Sequence, residues 1–193
     1  MGMGAEKNPK KKQKEIKMEK NFEFKIKPLT KTAKAPQKAL EYDNGYDLFL
    51  CSLRDFIEGE DEQFSFETHT TGCAPVYNEQ GNVVGIDIYP GGMAKLPLGF
   101  AAAFDPAWGG FVFDKSGVGS KGIKYLGGVI EGTYRGHWMV MLANVKNYTN
   151  GSIPVEPIKP VRFLVGQKIA QVCFLLLARP TVTIVEELDK TER

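Results

Sequence analysis

Four short segments of the sequence join glycine or other small residues to a polar group that can face a ligand. In chain order they are NGYDLFL (44–50), DKSGVGSKGI (114–123), GGVIEGTYRG (127–136) and GQKIAQV (166–172). In the second segment Lys115 and Ser116 precede Gly117. A cation, a hydroxyl group and backbone N–H groups in one turn form a concavity that can bind phosphate. An ordinary Ser-Gly turn with a solvated lysine is the alternative for this segment alone.

The third segment combines backbone freedom with a carboxylate and a ring. Its glycines allow close approach to the main chain, and the β-branched pair Val129 and Ile130 favours a strand. Glu131 and Tyr134 then follow at the turn of a hairpin. In the fourth segment Gln171 is polar within an apolar strand, so a buried position requires a hydrogen-bond partner. An exposed glutamate and an edge-strand glutamine are the alternatives.

The elements that must position these residues are short strands separated by Gly, Pro and Asn, which predict an all-β sandwich or jelly roll. Residues 51–82 contain an acidic run and a predicted turn, and they indicate a surface insertion between strands. The predicted strands are FEFKIK (22–27), YDLFL (46–50), VVGIDIY (83–89), AKLPLGFAAAF (94–104), GGFVF (109–113), GGVI (127–130), HWMVMLANV (137–145), KIAQVCFLLL (168–177) and TVTIVEEL (181–188).

Composition places this 193-residue chain among ordinary globular proteins of one domain. Its first twenty residues hold seven Lys and three Glu, so residues 1–21 are predicted to form a basic flexible tail. That tail is the part of the chain that can touch nucleic acid. The longest apolar run, VCFLLLA, is too short to span a bilayer. We therefore expect no membrane association.

Three cysteines at irregular spacing indicate reduced thiols. With no apolar leader behind the lysine-rich start, we expect a cytoplasmic protein, or a nuclear one in a eukaryotic or viral setting, and not a secreted one. His69, Cys73 and Cys51 fall short of a convincing zinc-ligand set. The sequence also lacks a Walker loop, GxSxG and HExxH.

Taken in order and spacing, the four segments resemble motifs one to four of the trimeric dUTP pyrophosphatase (dUTPase) family, whose superfamily includes the dCTP deaminases. The stretch YPGGMAKLPLGF (89–100) resembles the family's segment before its second motif. The resemblance covers about residues 22–193, with 51–88 as an atypical extension. It implies a distorted β-jelly roll that assembles as a homotrimer, with active sites between subunits.

The resemblance assigns one group of residues to the phosphate end of such a site. Asp47 matches the first-motif aspartate, which is associated with Mg²⁺ indirectly, through water. Lys115, Ser116 and Gly117 match the family's Arg-Ser-Gly, which holds the phosphate chain, and Gln171 matches the fourth-motif glutamine.

A second group is assigned to the nucleoside. Gly128, Val129 and Ile130 match the hairpin whose backbone reads the uracil edge. Tyr134 matches the tyrosine whose ring packs on the deoxyribose and leaves no room for a 2′-hydroxyl. Met139 lies on the following strand, where it can approach the base.

Glu131 matches the family's catalytic aspartate, which orients and deprotonates the attacking water. Glutamate keeps the charge but reaches one methylene further, and a displacement near 1 Å costs about a hundredfold in rate. Lys115 replaces arginine and loses its bidentate fork. Arg193 stands where the family's glycine-rich arm, which closes over the phosphates, begins.

These matches predict a magnesium-dependent enzyme that hydrolyses dUTP to dUMP and pyrophosphate, with other copies of the chain as partners. A non-catalytic trimer that binds nucleotide or protein is the alternative, because of the two active-site replacements and the extension. A dCTP deaminase carries a glutamate where this chain has Met141, which counts heavily against deamination.

Overall fold

The computed structural model describes residues 22–54, 69–146 and 159–188. The predicted tail (1–21), most of the polar part of the predicted extension, and Arg193 lie outside the described residues. The elements, in chain order, are β1 (Lys25–Pro28), β2 (Tyr46–Phe49), β3 (Thr70–Tyr77), β4 (Val83–Ala103), β5 (Trp108–Phe113), α1 (Ser116–Gly119), β6 (Ile123–Leu126), β7 (Val129–Glu131), β8 (His137–Asn144), β9 (Val161–Leu164) and β10 (Lys168–Leu176).

The strands form two antiparallel sheets, as the all-β prediction requires. One has six strands, with the path β1-β4-β8-β6 and with β3 and β9 also paired to β4. The other has four strands in the order β2-β10-β5-β7. Strand β4 is 21 residues long. Its first half pairs with β3 and β9, while its second half pairs with β8 and β1.

The core lies between the sheets and follows the alternation of each strand. An aromatic group closes one end of it, where Phe24 packs against Trp138 and Phe174 with ring centroids 5.7 and 4.7 Å apart. Each fully buried large apolar side chain contributes about 1.5–3 kcal/mol. The largest of these are Trp138, Phe100, Phe163, Leu48, Leu50, Leu53, Ile86, Ile88, Leu96, Leu98, Ile123 and Leu142.

Two features differ from the strand predictions. VVGIDIY and AKLPLGFAAAF form one continuous strand, β4, and Ile86 and Ile88 are fully buried in it. The predicted strand 83–89 is therefore the start of β4, and a further strand, β3 (Thr70–Tyr77), lies within residues 51–82, where a surface insertion was predicted. In addition, β3, β6 and β9 were not predicted. β6 and β9 have only four residues each, and β3 contains Gly72 and Pro75, two residue types that are depleted in strands.

The predicted strand TVTIVEEL (181–188) was wrong for the described chain. Residues 181–188 form no strand, and the side chains of Val182 and Ile184 are 88% and 96% exposed. The alternation of apolar residues is present, but a strand also needs a neighbour to pair its backbone groups. Among the described residues, no strand pairs with this segment.

Within the described ranges, no helix combines the length and the apolar content that crossing a membrane requires.

Candidate functional site

Asp47 lies at the centre of a charged group that we call the cationic cluster: Asp47, Lys115, Lys168 and Gln171. The Asp47 residue is only 4% exposed. Lys115 Nζ donates to its Oδ1, and Lys168 Nζ lies 2.6 Å from its Oδ2. Burial raises the pKa of Asp47, but the two ammonium groups together lower it more, so this pKa lies below its ordinary value. Two ammonium groups against one carboxylate leave the cluster with a net positive charge.

Strand pairing brings Gln171 into this cluster. On β10 it lies directly opposite Asp47 of β2 on one side and Phe113 of β5 on the other. Gln171 is therefore on an interior strand, and the edge-strand alternative was wrong. Its Nε2 donates to the carbonyl oxygen of Asp114 at 2.9 Å. A Cβ on Gly45 would lie 2.6 Å from the Gln171 Oε1, so glycine at this position makes room for the amide.

The turn that carries Lys115 is fixed by Asp114. The Asp114 Oδ1 accepts a hydrogen bond from the backbone N–H of Tyr125 at 2.5 Å, and its Oδ2 is paired with Lys124. Lys115 has an extended backbone (φ −81°, ψ 141°) immediately before α1. The exposed residues Ser116 and Gly117 follow it. No atom lies within 4 Å of a Cβ built on Gly117, which leaves space for a ligand beside the turn.

A second candidate region is a cavity of about 240 Å³ that we call the hairpin pocket. The backbone N–H of Tyr134 donates to the Glu131 carbonyl at 2.9 Å, and its hydroxyl donates to the His137 carbonyl at 3.2 Å. These bonds anchor the Tyr134 ring to the backbone of the hairpin. A Cβ on Gly136 would lie 2.4 Å from the Tyr134 hydroxyl oxygen. The pocket is lined by Lys95, Ile130, Tyr134, His137, Trp138 and Met139.

The two glycines at the start of this hairpin have backbone conformations that favour glycine. Gly127 has φ +104° and Gly128 has φ +133°. The Gly128 N–H donates to the Tyr125 hydroxyl at 3.0 Å, and its carbonyl accepts from the Val112 N–H at 2.9 Å. Val129 follows and is 56% exposed. These contacts tie the start of the hairpin to β5 and β6. That its backbone contacts the edge of a uracil base stays a prediction.

The two regions lie apart within one chain. Glu131 pairs with Gly109 at one end of β5, and Gln171 pairs with Phe113 at the other. Four residue steps of about 3.3 Å along β5 and two strand spacings of about 4.7 Å across the sheet separate the Cα atoms of Glu131 and Gln171 by about 16 Å. Since a general base must lie within hydrogen-bond reach of its proton, one chain does not bring Glu131 to the cationic cluster.

Comparison with known proteins identifies the family. The dUTPase family model matches residues 86–193. The chain is 31% identical over 137 residues to the deoxyuridine 5′-triphosphate nucleotidohydrolase of Klebsiella pneumoniae (strain 342), which covers 68% of this chain and 83% of that protein. The corresponding protein of Cronobacter sakazakii is 30% identical over the same length and coverage. This chain belongs to the dUTPase family.

Solved dUTPases share the fold at lower sequence identity. A mutant dUTPase from phage phi11 of S. aureus has a TM-score of 0.58 and 19% identity, covering 87% of this chain and 99% of that one. A mutant dUTPase of Staphylococcus bacteriophage 80alpha, solved with dUpNHpp, has a TM-score of 0.58 and 18% identity, covering 88% and 92%. The predicted jelly roll is thereby confirmed.

The structure thus places the predicted dUTPase site residues in two sets. Asp47, Lys115 and Gln171 meet in the cationic cluster, with Ser116 and Gly117 on the adjoining turn. Ile130, Tyr134 and Met139 line the hairpin pocket, next to Glu131.

Two residues of this dUTPase-family site were missed from the sequence. Lys168 pairs with Asp47, although a regular alternation along β10 would place it on the opposite face from Gln171. Asp114 anchors both Gln171 and the strand that follows the turn. Its place directly before Lys115 was the available indication, since a carboxylate beside a glycine-rich turn often accepts backbone hydrogen bonds.

The described residues contain no group of three or more His, Cys, Asp or Glu that could hold a metal ion. Burial raises the pKa of Cys73 to about 11, and its Sγ contacts the carbonyl oxygens of Thr71 and Met93 at 3.3 Å. A protonated, hydrogen-bonded thiol is a poor zinc ligand. Cys51, Cys73 and Cys173 are all free thiols.

Proposed function

We propose that the protein hydrolyses dUTP to dUMP and pyrophosphate at sites shared between neighbouring copies of the chain. Family membership supports the reaction. The main observation in favour of a shared site is the separation of about 16 Å between the Cα atoms of Glu131 and Gln171. A second copy that sets its hairpin pocket against the cationic cluster of the first completes one site.

In this arrangement the triphosphate lies on the cationic cluster and the turn after it. Lys115 neutralises phosphate charge, and the Ser116 hydroxyl and Gly117 backbone donate to phosphate oxygens. The Gln171 amide, held by the carbonyl of Asp114, lies next to the same oxygens. Arg193 is proposed to reach the phosphates as well.

The nucleoside lies in the hairpin pocket of the neighbouring copy. The Tyr134 ring packs on the deoxyribose and excludes a 2′-hydroxyl, while Met139 and Ile130 line the space for the base. The backbone of Gly128 and Val129 faces the uracil edge. The Glu131 carboxylate accepts a proton from a water molecule, whose oxygen bonds to the α-phosphorus. The bond from that phosphorus to the bridging oxygen breaks, and pyrophosphate leaves.

Asp47 fits a magnesium ion held through water rather than directly. Both carboxylate oxygens face lysine ammonium groups, so direct ligation would displace a cation. Its buried Oδ2 is paired with Lys168, so Asp47 would hold a magnesium ion through water at the edge of the cluster. Magnesium in phosphate sites usually keeps several waters and takes substrate oxygens as ligands. When bound, the ion neutralises negative charge on the phosphates.

Assembly and location belong to the same proposal. A closed trimer, the arrangement that the family resemblance implies, lets each chain give its cationic cluster to one site and its hairpin pocket to the next. The free cysteines support a reducing, cytoplasmic location. The basic tail is the segment we propose for any contact with nucleic acid.

The test is pyrophosphate release from dUTP with magnesium, beside dCTP, dTTP and UTP, for the full chain and for Glu131→Gln. We expect release selective for dUTP, and a loss of about 10²- to 10⁴-fold in Glu131→Gln, as for removal of a general base. Equal release from UTP would contradict the role of Tyr134. Full activity in Glu131→Gln would contradict its role as the base.

A further inference from the structure

Lys168 is aimed at the cationic cluster by an irregularity of β10. In a regular strand, residues three apart face opposite sides of the sheet, so Lys168 and Gln171 are expected on opposite faces. A bulge between Lys168 and Ala170 changes this, because two residues of β10 there span a single residue step of β2. Lys168 consequently lies opposite Phe49, and Gln171 opposite Asp47. Bulges that redirect a side chain are common beside active sites.

Because of the bulge, Asp47 has a second ammonium partner, although one cation already balances its charge. Lys115 already pairs with one carboxylate oxygen, and Lys168 pairs with the other at 2.6 Å. The two lysine side chains are 26% and 46% exposed, whereas that of Asp47 is 5% exposed. The carboxylate is thus covered, while both lysine side chains keep solvent-accessible surface, and the group has one unit of excess positive charge. Such a surface accepts an anion.

We propose that Lys168 binds the phosphate chain directly, as the second cation beside Lys115. This inference rests on the proposed function. Lys115 is a point charge without the fork of an arginine, so one lysine gives fewer fixed contacts to a polyphosphate. An ammonium group has three donors. Lys168 can therefore keep its contact with Asp47 and still donate to phosphate oxygens.

The competing interpretation is that Lys168 acts only by holding Asp47 in place. The two are separated by measuring Kd for the imido analogue of dUTP, dUpNHpp, and for dUMP, which lacks the β- and γ-phosphates. We expect Lys168→Met to weaken dUpNHpp about 10- to 100-fold, the range for a hydrogen bond to a charged group. The Kd for dUMP should change by about twofold or less. Lys168→Arg should restore dUpNHpp binding.

A second background removes the contact between Lys168 and Asp47. Asp47→Asn removes both the ion pair with Lys168 and the buried negative charge. Adding Lys168→Met to this variant therefore does not leave a buried carboxylate without a cationic partner. We expect Lys168→Met to weaken dUpNHpp by a similar factor in this background. No further loss there would show that Lys168 acts through Asp47 alone, and would overturn the proposal.

Lys31→Met is the matched control, because Lys31 is an exposed lysine on the loop after β1. It should leave both Kd values unchanged. If the wild-type chain hydrolyses dUTP and Lys168→Met binds dUpNHpp with unchanged Kd, the role of Lys168 is overturned and the proposed function stands. A wild-type chain that neither releases pyrophosphate from dUTP nor binds dUpNHpp would contradict the proposed function, and with it the role of Lys168.

Discussion

Glu131 and Gln171 lie on the same face of the four-stranded sheet, on the two strands that flank β5. Their partners on β5, Gly109 and Phe113, are four residues apart. The separation of about 16 Å that follows from this pairing is the feature that most constrains how the protein works. The proposed general base and the proposed phosphate-binding amide are therefore far apart within one chain. The family resemblance predicts sites between subunits, and this register agrees with that prediction, which remains a proposal.

The reach of the Glu131 side chain can be tested by shortening it. Glu131→Asp keeps the charge and withdraws the carboxylate by one methylene. If the site is built around glutamate, we expect kcat for dUTP to fall by about 10- to 100-fold with little change in KM, because a misplacement near 1 Å carries a cost of that order. Steady-state kinetics of pyrophosphate release measure both constants. Glu79→Asp, in the exposed turn between β3 and β4, is the control, and an increase in kcat for Glu131→Asp would contradict the expectation.

The fit of the Tyr134 ring depends on Gly136. A Cβ there would lie 2.4 Å from the ring hydroxyl, so Gly136→Ala should displace the ring. We expect KM for dUTP to rise by about tenfold and the preference for dUTP over UTP to fall, since specificity of this kind follows the shape of the pocket. Gly119→Ala is the control, because its Cβ would meet Asp114 at an ordinary 3.8 Å. Unchanged selectivity in Gly136→Ala would separate Tyr134 from sugar recognition.

The charge of Asp47 gives a pH dependence of known sign. Its pKa is lowered from an ordinary value of 3.8, so the ion pairs stabilise the fold fully above that value. This stability is lost as the pH falls from about 3.8 through the lower pKa of the folded state. We expect Asp47→Asn to reduce the loss of thermal stability between pH 5 and pH 2.5, as measured by the unfolding temperature at several pH values. Parallel curves for the two proteins would show that Asp47 contributes nothing to acid unfolding.

Much of the fold followed from local sequence patterns. The strands that carry Asp47 and Gln171 alternate clearly, and β8 is strongly β-forming, so their existence was predictable. Segment 181–188 has the same alternation, but none of the described strands pairs with it, and local sequence cannot reveal whether a partner is present. The long β4 was divided in two because Pro90 and Gly91 look like a turn, although the core on either side is continuous.

The site was predictable as a set of residue types but not as an arrangement. The position of Lys168 depends on a bulge that only strand pairing defines. The half-buried, interior position of Gln171 depends on β10 having a neighbour on each side. The separation of Glu131 from the cationic cluster depends on the register of β7 and β10 against β5. Each of these is a contact between distant parts of the chain, and periodicity carries no information about it.

The shared site is tested most directly by mixing two inactive variants. Glu131→Gln keeps an intact cationic cluster, and Gln171→Ala keeps an intact hairpin pocket. After joint unfolding and refolding at equal amounts, a neighbour-shared site should recover about a quarter of wild-type pyrophosphate release from dUTP, because one pairing in four combines the two intact halves. Each variant refolded alone gives the baseline. Activity of the mixture no higher than the average of the two baselines would contradict a site built from two chains.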